Sequence, residues 1–357
     1  MKRTLLLLIA ICGIFYSRAD NYRVLFIGNS YTYVNNLPQV ISSMAESTND
    51  TLTFTMHAPG GCTFAQHVQS AAQYIRQGGW DYVVLQEQSQ LPSFPDGQFM
   101  SQSYPYAQQL CDSIRTYNPN AKIVFYMTWG RKNGDQQNCP VYPPLCSYQG
   151  MDSLIYVRYM MMAEDNEAMV SPVGYVWHVI RDQYAGIELY ESDESHPSLA
   201  GTYAAACSFY ATFFQKSPNS ISFDAGLNSQ DAANIRQIAT TLVFDSLDKW
   251  SFLIPADTSS IDTTSGDSVS VAGYAWQPIL VYPNPASNEI NLLFSDDQAL
   301  PIAVLLYNGK GDFVAKYSVS DQQTTIPTHN LPSGVYYVLP IKGKTRYPVQ
   351  KILISRP

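Results

Sequence analysis

The sequence is poor in basic residues: 21 Lys and Arg stand against 29 Asp and Glu in 357 positions, a formal charge of −8. A chain so short of cations lacks the electrostatic footprint of a nucleic-acid binder and has little attraction for anionic lipid. The imbalance deepens if residues 1–19 are removed, because Lys2, Arg3 and Arg18 lie there and no acid does. The remaining 18 basic residues then face 29 acidic ones, a charge of −11. Histidines number five and cysteines six, and no second Cys or His pair stands at ligand spacing beside Cys139 and Cys146, which argues against a zinc centre. Beyond the first residues no apolar run approaches the roughly 20 residues that a membrane span requires. No long-period internal repeat is present.

What the start does hold reads as a secretory leader. Lys2 and Arg3 form a charged beginning, 5–14 an apolar stretch, and Ser17-Arg18-Ala19 a small-x-small cleavage site. The apolar stretch is too short for a transmembrane anchor, and bulky Ile11 before Cys12 fits a lipoprotein poorly. Export permits disulfides. The mature chain keeps Cys62, Cys111, Cys139, Cys146 and Cys207, an odd number. Cys139 and Cys146 flank the proline-rich 140–145 and are expected to pair across it. Cys207 lies in an apolar helical run and is expected to be a small core residue, whereas Cys62, beside Gly60-Gly61, is left open.

From 20 to 252 short apolar runs alternate with helical stretches. The runs are 24–27, 52–56, 82–85, 123–127 and 173–177; the helical stretches are 37–47, 64–77, 104–117 and 151–167. This alternation predicts an α/β unit with a parallel sheet covered on both faces. Such sheets bind ligands beyond the carboxyl ends of their strands, and Ser30, 86–90 and Trp129 fall at three of these ends. Another helix is expected to open at Pro197, since proline suits the first helical position and holds its predecessor out of the helix. His196 is thereby presented on a loop. After Trp250 the chain turns polar and aperiodic, which predicts a linker over 253–275. Close-spaced β-rich runs then follow at 280–282, 289–294, 302–307, 313–318 and 335–339, predicting a small all-β sandwich over 276–357.

The chemistry centres on Ser30 and His196. A hydroxyl is a poor nucleophile until an adjacent base, itself oriented by a third group, takes its proton. Ser30 ends an apolar strand at Gly28-Asn29-Ser30-Tyr31-Thr32, and Asp193 stands three residues before His196-Pro197. Each element alone has a plainer reading. Asn29-Ser30 suits a helix cap, Asp193-Glu194 a solvated acidic loop, Gly60-Gly61 a turn, and 86–90 a polar strand end.

Taken together, GNSYT after the first strand and DxxHP near the end of the unit resemble the SGNH (GDSL-like) hydrolase superfamily, in particular a Bacteroidetes branch with GNSYT and QEQSQ blocks. The likeness spans roughly 23–218. It implies a flavodoxin-like three-layer fold, Ser30 as nucleophile, His196 as general base and then acid, Asp193 as orienting carboxylate, and no cofactor or metal. It also implies an oxyanion hole made by the Ser30 N–H, a glycine N–H (Gly61 in preference to Gly60) and a side-chain amide. Where many members carry Gly-x-Asn-Asp, this chain has Gln86-Glu87-Gln88-Ser89-Gln90. Gln90 then stands at the position of the Asn and Gln88 at that of the Gly, and a Gln amide donates as an Asn does from one carbon farther out. Both are carried as candidates.

The activity implied is that of a secreted serine esterase, with O-acetyl groups on carbohydrate the favoured substrate. A lipid ester or thioester fits the same chemistry, and a catalytically silent glycan-binding protein on this scaffold is the alternative. Trp129 and Trp177 either line a sugar cleft or pack in the core. His57, His67, His178 and Met160-Met161-Met162 are expected to be structural, and Glu87 carries no assigned role.

Near the carboxyl end, Val281-Tyr282-Pro283-Asn284-Pro285-Ala286 and Leu331-Pro332-Ser333-Gly334-Val335-Tyr336-Tyr337-Val338 resemble the type IX secretion C-terminal sorting domain over 277–357. That resemblance implies passage across the outer membrane with the secretion machinery as partner, and a surface or secreted destination. An accessory carbohydrate-binding sandwich is the other reading of this segment.

Overall fold

The structure, a computed structural model, describes residues 19–253 and, with short interruptions, 279–356. The expected leader and linker, apart from Ala19 and Leu253, lie outside the described residues.

The amino-terminal sheet has five parallel strands: β1 (Asn21–Ile27), β2 (Thr51–His57), β3 (Tyr82–Leu85), β4 (Lys122–Tyr126) and β5 (Met169–Ser171). Their order is β2-β1-β3-β4-β5, the flavodoxin-like arrangement. Residues 24–27, 82–85 and 123–126 are all buried, as a parallel sheet with helices over both faces requires. The helices are α1 (Ser30–Tyr33), α2 (Leu37–Glu46), α3 (Phe64–Ser70), α4 (Ala72–Gln77), α5 (Asp96–Gln102), α6 (Tyr104–Tyr117), α7 (Tyr148–Asp165), α8 (Val173–Gln183), α9 (Leu199–Phe214) and α10 (Ser229–Leu242). They pack in two groups, α2 with α8, α9 and α10, and α3 to α6 with α7. The sheet order reverses between β1 and β3, so a crevice opens there at the strands' carboxyl ends.

Three local expectations are corrected. The run 173–177 is not a strand: β5 is 169–171, and Val173, Val176, Trp177 and Ile180 are the buried stripe of α8. A short apolar run carries no period of its own, so strand and buried helix look alike in sequence. The stretch 64–77 is two helices that meet at Ala71. Helix α9 begins at Leu199, not Pro197, because the Ser198 hydroxyl caps it by accepting from Gly201 N–H, while Pro197 bridges to Tyr190.

The carboxyl-terminal unit has β6 (Ile279–Tyr282), β7 (Glu289–Phe294), β8 (Ile302–Asn308), β9 (Phe313–Val319), β10 (Gln323–Pro327), β11 (Gly334–Lys342), β12 (Thr345–Arg346) and β13 (Gln350–Ile354). They form two antiparallel sheets, β10-β7-β6 and β12-β11-β8-β9, with β13 also paired to β11. Ile290 and Leu292 from one sheet meet Val304, Val338 and Ile352 from the other in a common core. Strand β10 was not expected from sequence, since Gln-Thr-Thr-Ile-Pro is mostly polar; among the described residues it pairs along one side only, with β7.

Candidate active site

Strand β1 ends at Gly28, and the chain turns at once into α1. A Cβ on Gly28 would lie 2.4 Å from Thr32 Oγ1 and 2.6 Å from Gln86 Oε1, so only glycine fits this approach. Asn29 caps α1 by accepting from Tyr31 N–H at 3.2 Å, so the cap reading of Asn29 holds and the cap sets Ser30 at the first helical position. The Gln86 amide, at the end of β3, clamps this turn: its Oε1 accepts from Asn29 N–H at 2.8 Å and Thr32 Oγ1 at 2.9 Å, and its Nε2 donates to Asn29 Oδ1 at 2.9 Å.

The histidine comes from the loop between α8 and α9. The Asp193 carboxylate folds that loop by accepting from the N–H groups of Ser195 (3.0 Å) and His196 (2.9 Å) through Oδ1. Its other oxygen lies 2.5 Å from His196 Nδ1, and His196 Nε2 lies 2.8 Å from Ser30 Oγ. The three residues named from sequence therefore meet in one line. Burial raises the Asp193 carboxyl, but hydrogen bonds from the His196 ring and from both N–H groups outweigh it and hold the group below its usual range. Asn35 Nδ2 donates to Pro197 O at 3.0 Å and ties the histidine loop to the nucleophile's side of the crevice.

Gly61 sits on the loop after β2 with φ of +68°, in the region that favours glycine. That loop is stitched to the nucleophile turn by Asn29 Nδ2 donating to Cys62 O at 3.0 Å. His67 adds a second stitch, donating from Nε2 to Gly28 O at 2.9 Å. Burial pushes the His67 imidazole down to about 4, so it is neutral, and its bare Nδ1 faces Cys62 Sγ at 3.7 Å. Among the described residues neither the Ser30 N–H nor the Gly61 N–H has a hydrogen-bond partner. Ser30, Gly61, Gln88 and His196 line one cleft of about 250 Å³.

Gln88 and Gln90 part company. Gln90 lies outside this cleft, and its Nε2 donates to the buried Asp135 at 2.6 Å. Gln88 is at the cleft, with Oε1 accepting from Gln90 N–H (2.8 Å) and Leu91 N–H (3.2 Å) and Nε2 directed to Gln90 Oε1 (3.2 Å). Trp129 and Trp177 are fully buried and do not line the cleft. Trp129 stacks between Tyr31 (4.7 Å) and Trp177 (3.7 Å), and its Nε1 donates to Ser195 O at 3.1 Å, so the pair braces the histidine loop from beneath.

Several residues of the site were given no role from the sequence. Tyr31 Oη lies 2.6 Å from Ser195 Oγ, joining the nucleophile helix to the loop. Glu87 is fully buried, accepting from Phe64 N–H and Gln88 N–H through Oε1 and from the Ser103 hydroxyl through Oε2. Arg131 reaches the cleft from beyond β4, two residues past Trp129; its place after a strand end was the one hint available. Cys139 and Cys146 pair as expected, Cys207 is buried in α9, and Cys62 is a buried free thiol. Among the described residues no helix is long and apolar enough to cross a membrane, and no three potential metal ligands cluster.

Residues 280–355 match the family model of the secretion system C-terminal sorting domain. The carboxyl-terminal unit is a sorting domain. It marks the chain for export to a secreted or cell-surface destination, and the YPNP and SGVYYV blocks lie within it. No curated protein matches the chain. Upstream of the sorting domain, the fold is shared with a DUF4886 family protein from Bacteroides uniformis, at 18% identity and a TM-score of 0.56, over 65% of this chain and 100% of that one. A proposed SGNH hydrolase from Slackia heliotrinireducens is 25% identical over 54% of this chain and 98% of its own, with a TM-score of 0.45. An acetylxylan esterase from Geobacillus stearothermophilus is 16% identical over 59% and 98%, with a TM-score of 0.39.

Proposed function

We infer that this exported chain is an SGNH-type serine esterase removing O-acyl groups, foremost acetyl, from carbohydrate. The observation that carries the reading is the alignment of Ser30 Oγ, His196 and Asp193 at 2.8 and 2.5 Å, in a cleft that also holds the two unpartnered N–H groups. With Asp193 accepting from Nδ1–H, Nε2 is bare and takes the Ser30 proton as Oγ bonds to the ester carbonyl carbon. The N–H groups of Ser30 and Gly61 face the oxyanion so formed, and each such donor is worth roughly a hundred- to a thousand-fold in rate. Collapse breaks the carbon–alkoxy bond, and His196 returns the proton to the leaving alcohol. Water, deprotonated by His196, then releases acetate and regenerates Ser30.

Gln88 is the amide assigned to this cleft, and Gln90 is set aside because Asp135 engages it. Carbohydrate is favoured by a groove of about 510 Å³ that meets the cleft at Gln88 and is walled by Gln102, Phe94 and Tyr106. Amides pair with sugar hydroxyls, and aromatic faces cover the apolar faces of the ring. Hydrolysis of p-nitrophenyl acetate by the mature chain, set beside Ser30→Ala, tests the reading. Loss of at least about a thousand-fold is expected; equal rates would remove the esterase assignment. Asp193→Asn should retain the fold and lose roughly a hundred-fold or more, since the imidazole then lacks its orienting acceptor.

A further inference from the structure

The cleft at Ser30 carries one side chain of fixed charge, Arg131, in a chain that is acidic overall. Its side chain is about three-quarters buried, and the guanidinium meets Asp135 through Nη1 alone, at 3.3 Å. The buried Asp135 is otherwise well supplied. Its Oδ2 accepts from Gln90 Nε2 at 2.6 Å and Asn138 Nδ2 at 2.7 Å, and its Oδ1 from Gln137 N–H at 3.3 Å. The contact with Arg131 is thus single and long, not the two-pronged fork a guanidinium makes when committed to a carboxylate. Arg131 Nε is buried with no partner among the described residues. A buried donor left without an acceptor is unfavourable until a partner satisfies it. Asp135 therefore steers Arg131 and leaves most of its donors unengaged.

We propose that Arg131 selects substrates bearing a carboxylate close to the ester, so that the preferred substrates are O-acetylated acidic sugars such as uronic acids. The proposal rests on the esterase reading of Ser30. A carboxylate matches the planar donor fork, and the partly buried setting screens the attraction less than open water does. The reaction is unchanged: Ser30 Oγ gains the acetyl group, and the sugar oxygen leaves with the proton carried by His196.

The plainer role, neutralising Asp135, is separable by experiment. The mature chain is assayed on a matched pair, an O-acetylated methyl glucuronoside and the O-acetylated methyl glucoside, which differ only in carboxylate against CH₂OH. Wild type should prefer the uronate about ten-fold or more in kcat/KM, and that preference should shrink as salt rises. Arg131→Gln should cut the preference about ten- to a hundred-fold, mainly through KM, with Arg131→Lys between the two. Equal kcat/KM for both esters in wild type, or an unchanged ratio in Arg131→Gln, would overturn the proposal. If Arg131→Gln does not fold, the wild-type ratio and its salt dependence decide. Turnover of p-nitrophenyl acetate that depends on Ser30, without uronate preference, sinks the Arg131 assignment alone. If no ester is turned over, the esterase reading falls, and calorimetry with unacetylated methyl glucuronoside against methyl glucoside decides for Arg131; equal affinity overturns it.

Discussion

Glu87→Gln should make the amino-terminal unit more stable in alkali while leaving it unchanged in acid. Burial pushes the Glu87 carboxyl from 4.5 up to about 7, against the opposing pull of hydrogen bonds from Ser103, Gln88 and Phe64. Between those values the unfolded chain has lost the proton and the folded chain still holds it, so raising the pH favours unfolding. Above about pH 7 the cost of ionising the buried group is fully present. At about 1.4 kcal/mol per pH unit, the interval from 4.5 to about 7 corresponds to about 3 kcal/mol. Glutamine keeps a carbonyl for the N–H groups of Phe64 and Gln88, and its amide can donate to the Ser103 hydroxyl, which is able to accept. Urea unfolding followed by tryptophan fluorescence reports this unit, since Trp80, Trp129, Trp177 and Trp250 are all buried there. The difference between variant and wild type should grow by about 3 kcal/mol in the variant's favour between about pH 4.5 and about pH 8.5. A difference independent of pH would refute the reasoning, because it would mean that Glu87 is already ionised in the folded chain at acid pH.

Gly28→Ala should lower both stability and activity, because its Cβ would collide with Thr32 Oγ1 and Gln86 Oε1 and open the clamp on Ser30. A loss of about 1–3 kcal/mol is expected, read by the same urea titration, and a variant as stable and as active as wild type would show that the turn tolerates displacement. Reducing the Cys139–Cys146 disulfide, whose ends are seven residues apart, should cost about 2–3 kcal/mol on loop-entropy grounds. An unchanged urea midpoint in dithiothreitol would show that the loop is already ordered in the unfolded chain.

The parts of the site that were legible in sequence are those fixed by short-range chemistry. Gly28-Asn29-Ser30 declares its turn because glycine, cap and nucleophile are adjacent, and Asp193 reaches His196 within a single loop. The alternation of runs gave the parallel sheet for a similar reason, since strands buried on both faces are apolar without interruption. What stayed hidden depends on where a side chain points after a strand ends. Gln88 and Gln90 are two residues apart and chemically identical, yet the Gln88 side chain folds back to accept from the N–H groups of Gln90 and Leu91, whereas the Gln90 side chain reaches Asp135. Trp129 and Trp177 look alike in sequence to residues that line a sugar cleft, and only the packing of α8 against the end of β4 shows them stacked and dry.

The block Gln86-Glu87 ties together two loops of the candidate site at the end of β3. Consecutive residues on an extended segment point to opposite sides, and here each side holds a different half of the site. Gln86 grips the nucleophile turn through Asn29 and Thr32, whereas Glu87 grips the start of α3 through Phe64 N–H, three residues beyond Gly61. Glu87 also accepts from Gln88 N–H, so the strand end that carries the cleft amide is fixed by the same carboxyl. A buried group that accepts three hydrogen bonds and still titrates near neutrality is a costly way to join two loops. That cost is consistent with a demand for position more than for stability: the two oxyanion donors proposed for this cleft come from separate loops, and rate depends steeply on their placement.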